Sequence, residues 1–175
     1  MQRLSATELI LRYKAGERTL VSVDLSGEYL FEANLPGINL SKSRLVAAHL
    51  PYADLSQATL NGAELQQAEM GDTQLFQADL SQANLEAANL SRANLRLANL
   101  RGANLCGANL QGADLFCADL SNSNLTNADL SRANLERAKL DGAILKGCNL
   151  FRAQEADLKD AATDSSTIYP DGYRR

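Results

Sequence analysis

Ala83-Asn84-Leu85-Glu86-Ala87-Ala88-Asn89-Leu90-Ser91-Arg92-Ala93-Asn94-Leu95 is the stretch whose reading decides the fold. Leucine returns every fifth residue, and the rule runs from Leu20 to Leu150 with Met70 as its single exception. On an α-helix, residues five apart diverge by about 140°, which scatters the leucines over all sides. In a flat strand an odd spacing turns each successive leucine to the opposite face. A chain buries all of them only by turning a corner once per five residues and winding around them.

The slot two residues before each leucine is the second signal. From Ala33 to Ala153 it holds alanine, except at Ile38, Ser43, Thr73, Ser123 and Cys148. Between the small residue and the leucine stands mostly Asn or Asp. Same-parity positions of an extended piece share a face, so alanine and leucine point inward and the Asn or Asp points out. The two residues after leucine carry the turn. The second of them is Gly at 27, 37, 62, 102, 107, 112, 142 and 147 and Asn at 122 and 127, and it is never Val, Ile or Thr. That choice fits a type II turn with positive φ at many corners.

Bulk properties fit this picture. A chain of 175 residues suits one domain. Trp is absent and only 5% of residues are aromatic, so Leu and Ala must build the interior. A net charge of −4 is too mild to call for a nucleic-acid or membrane partner. Cys106, Cys117 and Cys148 are odd in number and off the leucine spacing, which argues against disulfides and points to a reducing cytoplasm. Arg3, Glu8, Arg12 and Lys14 interrupt any signal-like apolar stretch, and no segment has the roughly 20 apolar residues of a membrane span.

The unbroken Ala-(Asn/Asp)-Leu-x-x motif resembles the pentapeptide-repeat family over residues 18–153. The flanks, Tyr13-Lys14-Ala15-Gly16-Glu17-Arg18 and Thr167-Ile168-Tyr169-Pro170-Asp171-Gly172-Tyr173, resemble it as well. The resemblance implies an all-β, right-handed quadrilateral β-helix, a β-solenoid with four pentapeptides per coil. Residues 18–153 then make about seven coils in a rod about 33 Å long at the strand spacing of about 4.8 Å.

The ends of such a stack are open sheet edges and need covers. Ser5-x-x-Glu8 reads as a capping box with Leu4 and Leu9 as a hydrophobic staple, so residues 1–17 form a helical cap. Its helix, about residues 6–15, lays Ala6, Leu9, Ile10 and Tyr13 over the first coil. At the other end the leucine slot falls on Glu155, and Leu158, Thr163 and Ile168 resume the spacing three residues late. The solenoid is therefore expected to close near residue 153, with 154–175 as a cap or tail.

Little chemistry is offered. His49 is the only histidine and occupies an outward slot, where a solvated or stacked ring outweighs catalysis. Outward columns on a convex rod make no pocket. Cys148 takes an alanine slot and reads as packing, and no second Cys or His lies one coil from Cys106 or Cys117 to hold a metal. No catalytic set, cofactor or metal is expected.

Residues 20 apart stack on such a coil. Phe76, Arg96 and Phe116 then form one outward column beside Leu97 and Cys117, a candidate protein-docking patch with cation–π character. Arg92, Gly112, Arg132 and Arg152 form a second, basic column that reads as solubilising charge. Residues 20–87 carry nine acids and two bases, and residues 88–152 five acids and eight bases. The resemblance implies a further possibility, since some family members mimic duplex DNA and bind DNA gyrase, a topoisomerase. Those members resemble acidic rods, often have Phe at the core centre, and dimerise through their C-terminal ends. This chain departs from them in its Leu or Met centres, its basic half and its short tail. The expectation is a non-enzymatic scaffold with a protein partner, monomeric or dimeric through the coil ends, and with gyrase modulation as the alternative.

Overall fold

The computed structural model describes residues 1–175. Its organising contact joins each residue of an outward slot to the residue 20 further on. One column of parallel backbone pairs runs Thr19, Asn39, Thr59, Asp79, Asn99, Asp119, Lys139, and three more start at Asp24, Tyr29 and Asn34. Four columns at a 20-residue repeat make a four-sided coil, and each side touches its neighbour through a single bridging residue. Leucine centres and alanine slots from both halves merge into one buried cluster along the axis.

The pentapeptide around Leu105 shows why these residues form this path. Leu105 N–H donates to the Asn124 carbonyl at 2.7 Å, Gly107 N–H to Thr126 at 2.9 Å, and Asn104 N–H to Ala83 in the coil on the other side at 2.9 Å. Ala108 N–H closes the corner turn on the Leu105 carbonyl at 3.0 Å. The one remaining amide, Cys106 N–H, donates to Oδ1 of Asn104 at 3.2 Å. All five amides of the unit thus find acceptors, as a backbone excluded from regular helix or sheet requires. Asn and Asp fill the outward slot because only a short side chain with an oxygen reaches that corner amide. Asn adds a second bond, from Asn104 Nδ2 to Asn84 Oδ1 at 3.0 Å in the coil below.

Positive φ occurs at every corner from Ser22 to Arg152, including Leu97 (59°) and Arg132 (61°). The exclusion of β-branched residues from this position is therefore general, whereas the glycines are an economy at some corners. Hydroxyl residues in alanine slots satisfy themselves. Thr73 Oγ1 donates to the Leu50 carbonyl at 2.8 Å and Ser123 Oγ to Leu120 at 2.7 Å.

At the N-terminus, β1 (Gln2–Arg3) pairs in parallel with β2 (Val23–Asp24), and α1 (Ala6–Lys14) lies between them in sequence. Ser5 Oγ accepts from Glu8 N–H at 3.2 Å, while Glu8 turns its carboxylate to Arg12 instead of returning to Ser5. Glu28, standing in an inner slot of the first coil, completes the cap by accepting from Ala6 N–H at 2.8 Å. Leu4 and Leu9 are both buried.

The C-terminal segment differs from the expectation that the stack stops near residue 153. Pairing continues from Ile144 to Ala162 and from Asn149 to Ile168. Ile168 holds an outward slot rather than a centre, and Tyr169 takes the centre level. Leu150 N–H accordingly donates to the Ile168 carbonyl at 2.8 Å. The cause is one additional residue in the turn after Thr163. Asp164 Oδ1 gathers that turn by accepting from Ser166 N–H at 3.0 Å, Ser166 Oγ at 2.6 Å and Gly147 N–H at 3.1 Å.

Candidate functional site

The column selected from sequence forms on one corner. Gln77 N–H donates to the Arg96 carbonyl at 3.0 Å and Leu97 N–H to the Phe116 carbonyl at 2.9 Å, which fixes Phe76, Arg96 and Phe116 one above another. The Arg96 guanidinium lies 4.3 Å from the centre of the Phe116 ring, and its Nη1 donates to Asp114 Oδ2 at 3.1 Å. Arg137 approaches the same ring from the next coil at 5.9 Å. Leu97 is 45% exposed at the neighbouring position, and Cys117 is half-buried beside it. All five residues meet on one ridge, with the guanidinium turned to Phe116 rather than to Phe76.

A larger group of exposed rings lies near the N-terminal end. Tyr29 stacks on His49 with centroids 4.4 Å apart and planes within 2°. Phe31 meets Tyr52 edge to face at 5.7 Å. Their 20-residue relation, Tyr29 to His49, is visible in sequence, but Phe31 and Tyr52 occupy adjacent columns and meet only across a corner. A cleft of about 560 Å³ opens between α1 and the first coils, lined by Ile10, Tyr13, Lys14, Arg18, Phe31 and Pro36 among others. The expectation of a rod without pockets overlooked it. Stacked columns are smooth, but below the first coil the neighbour is a helix.

The basic column continues the corner that carries Tyr52. Arg92 grips Asp72 with both Nε (2.9 Å) and Nη2 (2.6 Å). The hydrogen bond from Arg92, aided by the Tyr52 hydroxyl, holds the Asp72 carboxyl below the usual carboxylate range. Gly112 leaves a gap of about 230 Å³ between Arg92 and Arg132, floored by Gln111. Elsewhere, burial pushes the Cys148 thiol up to about 12. No group of three His, Cys, Asp or Glu residues is placed to hold a metal ion. No helix is long and apolar enough to cross a membrane.

A profile of pentapeptide repeats matches residues 38–75, 73–115 and 113–150, in 8 copies. The chain belongs to the pentapeptide-repeat family. Among solved pentapeptide-repeat structures it is similar to HetL, involved in heterocyst differentiation regulation in the cyanobacterium Nostoc sp. strain PCC 7120. The two are 28% identical, with 98% of this chain and 100% of that one covered and a TM-score of 0.45. It is also similar to a trypsin-treated form of QnrB1, a plasmid-mediated fluoroquinolone resistance protein. There the identity is 17%, the coverage 83% and 81%, and the TM-score 0.57. At that identity the second likeness concerns the fold alone. Curated proteins give no match.

Proposed function

We propose that this pentapeptide-repeat protein is a non-enzymatic, rigid scaffold that docks a protein partner on the ridge of Phe76, Arg96, Leu97, Phe116 and Cys117. On this reading residues 18–153 form a right-handed solenoid of about seven coils. Residues 1–17 cover one end, residues 154–175 carry the stack on through Ala162 and Ile168 before closing the other, and its compartment is the cytoplasm.

The observation that carries the proposal is the Arg96–Phe116 pair, 4.3 Å apart and anchored by Asp114. Arginine is among the residues most enriched at the energetic centres of interfaces, and aromatic side chains, Phe included, are enriched in interface cores. Here the corner backbone holds them in place, so little side-chain entropy is lost when a partner covers them. Leu97 supplies the adjacent exposed apolar surface.

Gyrase modulation is the less favoured reading, because residues 88–152 carry more bases than acids and present no continuous acidic face. The two readings separate experimentally. Wild-type bait retains a partner from the source cell that Phe116→Ser bait loses, while both baits have the same melting temperature. Added to a gyrase supercoiling assay at micromolar concentration, the protein neither inhibits nor protects. Equal recovery with both baits would remove the ridge from consideration, and protection of gyrase would favour the alternative.

A further inference from the structure

One corner of the rod is complementary to itself. Its outermost column reads Glu32, Tyr52, Asp72, Arg92, Gly112, Arg132 and Arg152 from coil to coil; the six positions from Glu32 to Arg132 are acidic in the first half and basic in the second, and Arg152 lies beyond them. We propose that two copies of this chain associate side by side and antiparallel along this corner, with the twofold axis between the coils of Asp72 and Arg92.

A twofold axis lying in the contact plane and perpendicular to the rod reverses the direction of each column without moving it sideways. Every column then faces its own reverse, as an isologous interface requires. Glu32 meets Arg132, Tyr52 meets Gly112, and Asp72 meets Arg92, each pair occurring twice. Neither Glu32 nor Arg132 has an ion-pair partner within its own chain, so both charges are free for this contact. At the axis the two intrachain Asp72–Arg92 pairs meet head to tail and form an alternating square of charges.

The shape agrees with the charge. Tyr52, 55% exposed, lies opposite the gap of about 230 Å³ that Gly112 leaves between Arg92 and Arg132. An aromatic face between two guanidinium groups gains cation–π attraction from each. The adjacent column has Gly71 and Ser91 at the axis, the small residues that close approach needs.

Other arrangements are worse. A parallel dimer sets Glu32 on Glu32 and Arg132 on Arg132, and an antiparallel one shifted by a coil sets Arg92 on Arg92. End-to-end association meets ends that are already occupied, by α1 on one side and by the tail with buried Thr167 on the other. Six coils at about 4.8 Å give a contact about 29 Å long and one corner wide. That lies at the small end of specific interfaces, so the dimer is weak and salt-sensitive.

The test is the molar mass of the full chain by sedimentation equilibrium, from about 1 μM to about 1 mM, at low and high salt. The wild type shows a monomer–dimer equilibrium that salt shifts to monomer. Glu32→Arg and Arg132→Glu each weaken it by at least about ten-fold. An equimolar mixture of the two variants recovers wild-type affinity to within about three-fold, because the mixed dimer restores one contact and keeps the other. Both variants keep the fold, since this column already holds Glu and Arg at positive φ. Phe116→Ser, on the next corner, leaves the equilibrium unchanged and so keeps this test independent of the docking ridge. A wild type that stays monomeric throughout, a dimer indifferent to both reversals, or a mixture that fails to recover would each overturn the proposal.

Discussion

A corner of this rod asks one unusual thing of its residues, positive φ at the third turn position, and residues as different as Leu97, Arg132 and Gly107 comply. At Gly107 an added Cβ meets nothing within 4 Å, so substitution there isolates conformational strain from packing. Gly107→Asn is expected to cost less than about 1 kcal/mol and Gly107→Val about 2 kcal/mol or more, as read by urea unfolding. Equal effects would mean that the turn conformation is not the constraint. Cys148 offers a second test. Its thiol is buried and stays protonated up to about 12, against an ordinary value of 9.0. Above pH 9 the unfolded chain releases a proton that the folded chain keeps, so this group's contribution to stability falls as pH rises through that window. Cys148→Ala is expected to lose less stability than the wild type between pH 8 and pH 11. A thiol reagent at neutral pH should modify Cys106 and Cys117 well before Cys148. The inward or outward placement of these residues was legible from the five-residue period alone. The second use of Asn, as acceptor for the corner amide, was not, because period and composition report side and not hydrogen-bond partner.

The same contrast holds for the elements that close the rod. The helix start was readable from Ser5 and Glu8, but the residue that satisfies Ala6 N–H is Glu28, distant in sequence and out of pattern in an alanine slot. A pattern break carries information only when the neighbouring element is known. The C-terminal turn makes the same point. Leu158, Thr163 and Ile168 keep a five-residue spacing, yet the chain spends an extra residue on the Asp164 turn and moves Ile168 to an outward slot. Asp164 is drawn down to about 2, first by the hydrogen bond from Ser166 and also by that from Gly147. Its folded-state value lies below the ordinary 3.8, so its contribution is present above pH 4 and is lost as pH falls towards 2. Hydrogen exchange in residues 160–173 is therefore expected to accelerate between pH 4 and pH 2 beyond the intrinsic change, while the coils around Leu85 stay protected. Asp164→Asn should accelerate exchange in the same segment at pH 7. Uniform exchange along the chain would show that the tail is not a separately held unit. The candidate ridge of Phe76, Arg96 and Phe116 was legible because stacking at 20 residues follows once four sides are assumed. The Phe31–Tyr52 contact was not, because it crosses a corner between columns.

For the whole molecule, the decisive property is that each coil rests only on the coils above and below it. Of 118 backbone–backbone hydrogen bonds only 6 lie within the helix and strands, so cohesion comes from bonds between coils and within corners. Stability in such an array is a sum over neighbouring rungs rather than a property of one central core. Length is then adjustable in units of the coil but not in fractions of a pentapeptide. Deletion of residues 86–105 joins Leu85 to Cys106, which already follows a leucine at the same position of the same side. Every backbone ladder can re-form across that junction. The losses are one rung of leucines and particular side-chain contacts such as Arg92 on Asp72. This variant is expected to fold cooperatively with a melting temperature lower by on the order of 5 °C. Deletion of only residues 101–103 sets Asn104 directly after Leu100. From that point every leucine is displaced relative to the coil beneath it, and a displaced register turns core residues to solvent. The smaller deletion should therefore be the more damaging, with loss of the cooperative melt and of exchange protection on both sides of the junction. A three-residue deletion that melts like the wild type, or a twenty-residue deletion that does not fold, would show that the coils do not act as interchangeable rungs.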